Sequence, residues 1–203
     1  RNSFVGGIFT ATNRNIPDNL DFLRRGAYTG GLDFKHNWKN RNYYVEGNFV
    51  GSHITGSESA IALTQTSITH LFQRVDASHV SVDANRTSLT GTGGKIEIGK
   101  AGGGNWRYDG GVIWRSPELE LNDVGFLRQA DEIKQTASVS RLFLKPTNLY
   151  RKANMQFSQY STFDFEGNYN RVQYEFQGFI NYKNNWWTEV GAAHKPRIFS
   201  NTV

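Results

Sequence analysis

The sequence predicts an all-β protein, an antiparallel meander of about nine strands with one or two short helices in its loops. Three observations carry this. Apolar and polar residues alternate with a period of two over run after run, turn-forming residues separate the runs, and neighbouring runs can be registered so that like faces coincide. The alternation is clearest over 89–115, LTGTGGKIEIGKAGGGNWRYDGGVIWR. There Trp106, Tyr108, Gly110, Val112 and Trp114 share one face, against Arg107, Asp109, Gly111, Ile113 and Arg115, while Ile96 and Ile98 alternate with Lys95 and Glu97.

In chain order, 3–13 (SFVGGIFTATN) reads as a first strand, with glycines at 6 and 7 that would let a sheet bend. The polar stretch 13–25, with Pro17 and Arg24-Arg25, reads as an exposed loop. From 27 to 38, Tyr28, Gly30, Leu32, Phe34, His36 and Trp38 oppose Thr29, Asp33, Lys35 and Asn37. The pattern returns with Tyr43, Val45, Gly47 and Phe49 against Tyr44, Glu46 and Asn48. A tight turn at Asn40 and Arg41 sets Lys35 opposite Glu46 and Asp33 opposite Asn48, so both pairs fall on the polar side.

Residues 51–86 break the rhythm. Ile61, Ile68, Leu71 and Phe72 approach a helical face, but the stretch is rich in Ser and Thr. It reads as a long, partly helical connection suited to covering or plugging an opening. The glycine loop 99–105 contains one lysine, but no Ser or Thr follows it and no helix is signalled, so it reads as a β-turn region and not as a phosphate loop. The stretch 116–132 (SPELELNDVGFLRQADE) is irregular, broken by Pro117, with a turn at Asn122, Asp123 and Gly125 before a short helical piece. Strands follow at 133–144 and 155–166. A turn at Asn168 and Tyr169 would pair Phe165 with Val172, Phe163 with Tyr174 and Glu166 with Arg171, and a loop at 183–185 would pair Tyr182 with Trp186 and Gly178 with Val190.

At 203 residues the chain supports one domain, 1–203. It opens at Arg1 and reads as a piece of a longer protein. Cysteine is absent, which excludes disulfides, thiolate metal sites and cysteine nucleophiles. The net charge of +5 arises from 23 basic and 18 acidic residues that are scattered and intermixed, a pattern that argues against nucleic acid as a partner. No apolar run is long enough for a membrane helix. A β-barrel needs only about ten alternating residues per strand, and a mean hydropathy of -0.57 discriminates little.

A membrane barrel and a water-facing sheet domain share this alternation. Long strands, charged residues on one face of strand after strand, and aromatics at strand ends favour a barrel fragment of outer-membrane type. On that expectation Asp33, Lys35, Glu46, Lys95, Glu97, Arg107, Asp109, Arg115, Glu166, Arg171, Glu175 and Glu189 face a lumen. Trp38, Tyr43, Tyr44, Trp106, Trp114, Tyr182, Trp186 and Trp187 form interfacial belts. The lipid bilayer is then a partner, and so are the missing parts of a longer chain. The porin-like wall passes or binds polar solutes such as glycans. The alternatives are a membrane anchor for an exported carbohydrate-binding module, a soluble all-β carbohydrate-binding domain and an outer-membrane hydrolase. His36, Thr188 and His194 on the supposed outer face count against the barrel.

Residues 87–132 and 71–89, and SPELELNDVGFLRQADE above all, resemble the carboxy-terminal barrel region of the bacterial "domain of unknown function 5916" family. The resemblance covers nearly the whole chain. It implies an outer-membrane barrel in Bacteroidetes-like bacteria, preceded in the full protein by a carbohydrate-binding-like module. Members often carry glycine after the Ser-Pro, where this chain has Glu118. The family has no established reaction.

No catalytic or metal constellation is legible, and no cofactor is implied. His36, His53, His70, His79 and His194 show no ligand spacing, and the serines lack a nucleophile-elbow context. Asp123, Asp131 and Glu132 lie close in sequence but lack calcium-loop spacing.

Overall fold

The computed structural model describes residues 2–198. Nine strands form one sheet: β1 (Ser3–Asn13), β2 (Gly26–Trp38), β3 (Tyr43–Thr55), β4 (Ser88–Lys100), β5 (Trp106–Arg115), β6 (Glu132–Phe143), β7 (Tyr150–Phe163), β8 (Tyr169–Tyr182) and β9 (Trp187–Ile198). They hydrogen-bond in sequence order, each antiparallel to its neighbour. One helix, α1 (Glu58–Thr66), and one 3-10 turn, Asp18–Leu20, lie in the connections.

The expected barrel does not form. Among the described residues β1 pairs with β2, β9 pairs with β8, and the two remain separate edges of an open sheet. A barrel requires its first and last strands to hydrogen-bond, with strand number, tilt and stagger mutually consistent. Hydrophobic period reports which face a residue takes and carries no information about closure. With the barrel fall the expected lumen, the transmembrane strands, the porin-like wall, the outer-membrane localisation and the lipid bilayer as partner. Among the described residues no helix is long and apolar enough to cross a membrane.

The expected β2–β3 register is the observed one, with Lys35 opposite Glu46 and Asp33 opposite Asn48. Its turn is tighter in conformation than in length, since Lys39, Asn40 and Arg41 all take positive φ. Gly178 stands opposite Val190, and the Tyr182 N–H donates to the Trp186 carbonyl, as the 183–185 loop predicts. The β7–β8 register differs from expectation. Ser161, not Phe165, faces Val172; Gln159, not Phe163, faces Tyr174; and Thr162, not Glu166, faces Arg171. The cause is Asp164, whose Oδ1 accepts from the backbone N–H groups of Glu166 and Asn168 and ends the strand in a side-chain-closed turn.

The stretch expected to be irregular from residue 51 continues as strand to Thr55, and α1 begins only after Ser57 caps it, accepting from the Ala60 N–H at 3.0 Å. Residues 124–128 form no helix. The connections 56–87 and 116–131 instead fold back over the polar face at one end of the sheet. There Ala27, Ile54 and Leu89 leave the polar pattern, and Ile61 of α1, Phe72 and Val80 pack onto them. A second small core joins Leu119, Leu127 and Ala130 to Val50 and Leu121. The fold therefore buries its apolar residues under a loop lid, while the opposite face leaves Leu32, Phe34, Phe49, Ile96, Met155 and Phe157 open to their surroundings.

Candidate functional site

The polar face carries a belt of paired charges running across β2, β3 and β4. Lys35 Nζ lies 2.7 Å from Glu46 Oε2, and Lys95 Nζ bridges Glu46 Oε1 at 3.2 Å and Glu97 Oε2 at 2.9 Å. The Tyr44 hydroxyl donates to Glu97 Oε1 at 2.5 Å, and Lys35 sits over the Tyr44 ring, 5.2 Å from its centre. Registry makes this possible: Lys35 opposes Glu46, Glu46 opposes Glu97, and Asn48 opposes Lys95. Two carboxylates directly opposed would repel, and Lys95, one step along the ladder, bridges both while Lys35 supplies the second positive charge.

The belt perturbs its own acids and bases. The hydrogen bond from Lys35 holds the Glu46 carboxyl below its ordinary value, aided by Lys95 and opposed by partial burial. Burial pushes Glu97 upward, but the hydrogen bonds from Tyr44 and Lys95 outweigh it and the net shift is downward. Lys95 is raised, chiefly by its hydrogen bond to Glu97. Burial, then donation to Glu97, raises the Tyr44 phenol well above its normal range. All four groups are therefore locked in their ordinary neutral-pH states, which suits binding and offers no poised acid or base.

The other charged residues expected to share a lumen do not join this belt. Asp109 accepts from Ser138 at 2.5 Å, and Arg115 pairs with Glu132 at 2.5 Å beneath the lid. Arg107 donates to the Gly104 carbonyl at the far hairpin. Glu175 accepts from Gln173, Arg171 stands opposite Thr162, Asp33 opposite Gly6, and Glu189 lies on edge strand β9 opposite Phe179. Glu166 has left the strand altogether and accepts from Ser78 in the lid.

Of the aromatics expected at interfaces, Trp38, Tyr43, Trp106, Tyr182 and Trp187 stand at strand ends. Trp38 stacks on Tyr43, Trp114 meets Phe49, and Trp187 stacks on Phe179. Arg141 covers Trp106, Tyr182 stands opposite Tyr150 at the end of the β7–β8 ladder, and Trp186 is exposed in its turn. Tyr44 belongs to the polar belt.

A second polar network fastens the lid. His70, fully buried, directs Nδ1 at the Pro117 carbonyl (2.7 Å) and Nε2 at Glu120 Oε2 (3.0 Å). Arg24 reaches Glu120 at 3.0 Å and Asp123 at 3.2 Å, and Arg14 reaches Asp123 at 2.6 Å. The stretch 13–25, read from sequence as an exposed loop, thus supplies two arginines that meet buried carboxylates of the lid. Burial disfavours ionised Glu120, yet the His70 hydrogen bond, the Asn122 N–H and Arg24 bring it down to about 2. Asp131, equally buried, accepts from Arg74 Nη2 (2.8 Å), His79 Nε2 (2.9 Å) and the Phe165 N–H (3.0 Å). Arg86 grips Glu118 with two parallel bonds of 2.7 and 3.0 Å, so the residue that departs from the resembled pattern closes the lid onto the start of β4.

None of these lid contacts was legible from spacing, because His70 and Glu120 lie 50 residues apart and His79 and Asp131 lie 52 apart. Among the described residues no group of three or more His, Asp or Glu side chains is placed to hold a metal ion. His36 contacts Ser3 and His53 contacts Thr90, each on a strand and away from the lid.

A family model described as Domain of unknown function (DUF5916) matches residues 10–201. The chain belongs to this family. Comparison with curated proteins returned no match. The match covers the last part of β1, strands β2 to β9 and both lid connections, so the belt and the lid of this DUF5916 chain lie within the matched region. The resemblance seen in the sequence holds as membership; the outer-membrane barrel fragment inferred from it does not, since the sheet is open.

Proposed function

We propose that this DUF5916 chain is an all-β carbohydrate-binding domain that holds a neutral glycan against the polar face of its sheet, beside the loop lid. The observation that carries this is the run of contacts Lys35–Glu46–Lys95–Glu97–Tyr44. Its members are partly exposed, fixed by one another, and alternate donors with acceptors at the strand spacing of about 4.8 Å. A ligand rich in hydroxyls can both donate to and accept from such a row. The opposite charges largely cancel, so a free ion of either sign gains little. Tyr44, and further along the face Tyr160 with Lys134 lying 5.5 Å from its ring centre, add ring surfaces for the apolar side of a sugar. The locked protonation states argue against hydrolysis by these residues.

The test is calorimetric titration of the protein with soluble neutral polysaccharides and with charged ones. Saturable binding of a neutral glycan is expected, weakened at least about tenfold in Glu97→Ala, equivalent to about 1.4 kcal/mol. Absence of saturable binding across the panel, or unchanged affinity in that variant, overturns the proposal.

A further inference from the structure

We propose that β1 is a self-pairing edge: two copies of this chain join along it, antiparallel about a two-fold axis at Ile8, and their sheets become one. β1 lacks the devices that keep an edge strand single. Its 11 residues carry no charge and no proline, and they follow β2 from Ser3 to Asn13 without a register shift. Phe4 and Ile8, opposite Lys35 and Gly31, stand on the polar side, Val5 and Phe9 stand on the apolar side, and all four are exposed. The other edge is defended. β9 carries Glu189, Lys195 and Arg197, its Pro196 offers no N–H, and its ladder with β8 shifts register next to Tyr174.

The β1–β2 ladder fixes which backbone groups of β1 point outward. At both of its ends an even-numbered residue bonds across: the Asn2 carbonyl accepts from the Asn37 N–H at 2.7 Å, and the Arg14 N–H donates to the Arg25 carbonyl at 2.8 Å. Bonding alternates along an antiparallel ladder, and no shift intervenes here. Ser3, Val5, Gly7, Phe9, Ala11 and Asn13 therefore turn their N–H and C=O groups away from β2, toward the open edge.

A second β1 satisfies this row completely. With Ile8 on the axis, Ser3 faces Asn13 of the other copy, Val5 faces Ala11 and Gly7 faces Phe9. Each outward N–H then meets a carbonyl, which gives about twelve bonds across the pair where a typical protein interface has about ten. Odd residues meet odd residues, so polar face adjoins polar face, and no charge is set against its own copy because β1 has none. Pairing β1 with β9 would add copy after copy without end, and the charges and Pro196 of β9 oppose it. Pairing β1 with itself closes at two.

Sedimentation of the whole chain over a wide concentration range should show monomer and dimer in exchange. Val5→Pro removes one outward N–H and leaves the bonds to β2 intact. It should keep the parent's circular dichroism and weaken the dimer about tenfold or more. Ile8→Lys keeps every backbone donor and sets two ammonium groups against each other across the axis. It should weaken the dimer as well, and added salt should restore part of the loss. Cross-linking checks the register, since the chain contains no cysteine. Ile8→Cys puts its two thiols on directly opposed residues with Cα atoms about 4.5 Å apart, within disulfide reach, and should give a covalent dimer under mild oxidation. Phe4→Cys separates them by roughly 27 Å and should not. None of these readouts depends on glycan binding at the belt. A monomer at every concentration, a dimer unmoved by both Val5→Pro and Ile8→Lys, or cross-linking of Phe4→Cys as fast as Ile8→Cys would overturn the proposal.

Discussion

Gly91 of β4 lies directly beneath Leu119 of the lid: a Cβ built on Gly91 would stand 2.1 Å from the Leu119 backbone nitrogen. Two positions on, a Cβ at Gly93 would stand 2.7 Å from Leu119 Cδ2. Neither glycine has the positive φ that only glycine takes easily, so the demand here is for space. The two glycines make a bare strip on which 116–121 can rest, and the neighbouring Ser52 hydroxyl accepts from the Glu120 N–H at 3.0 Å. Leu119 is 1% exposed as a result, and the Glu120 carboxylate is carried to His70 and Arg24.

Gly91→Ala should therefore lift the lid. The expected cost is about 1–3 kcal/mol, the range for overfilling a packed contact. Gly51→Ala is the control, because the nearest atoms to its built Cβ are 4.0 Å away, and it should be neutral within about 0.5 kcal/mol. Urea midpoints of the two variants against the parent check this. Equal midpoints for all three would show that the strip does not support the lid.

Acid should release the same lid. Glu120 is held at about 2 in the folded chain against an ordinary 4.5. A carboxyl with a depressed folded value contributes stability that is complete above its unfolded value and disappears as pH falls through the folded one. The window is thus pH 4.5 down to about 2, and the contribution lost there is about 3 kcal/mol. Glu120→Gln should flatten the stability curve in that window relative to the parent. Parallel curves would remove Glu120 from the latch.

The two faces should answer truncation differently. Leu89, 1% exposed under α1, should cost about 2–5 kcal/mol as Leu89→Ala, the price of a core cavity. Leu32, 64% exposed on the open face, should cost under about 1 kcal/mol as Leu32→Ala. Denaturant titration of both variants measures the difference, and comparable losses would mean that the apolar face is covered in solution.

The sequence made strand positions and faces legible because both follow from a period of two. It made the β2–β3 register legible because Lys35 and Glu46 are close in sequence and opposite in charge, and the β8–β9 register legible because the 183–185 loop is short. The β7–β8 register escaped, since Asp164 closes its turn through side-chain hydrogen bonds that no alternation pattern records. Closure escaped for a related reason, being a property of the two edges and not of any strand. The lid site was hidden by distance along the chain, yet one signal pointed to it. Gly91 and Gly93 recur at strand period on a face where the neighbouring strands carry side chains, which marks a place where another backbone approaches.

The polar belt permits a charge test whose outcome is not the simple swap usually expected of an ion pair. Lys35 and Glu46 are 34% and 28% exposed, so their pairing should be worth only about 0.2–1 kcal/mol. Lys35→Glu sets like charges against Glu46 and should destabilise by about that amount. Adding Glu46→Lys restores the pair across β2 and β3 but places a new ammonium beside Lys95, which lies 3.2 Å from Glu46 in the parent. The double variant should therefore recover only part of the loss, and full recovery should require a third change, Lys95→Gln. Stabilities of the single, double and triple variants, measured at low and at high salt, give the answer. Full recovery in the double variant would show that Lys95 is not coupled to Glu46, and the row of alternating donors and acceptors would then end at β3.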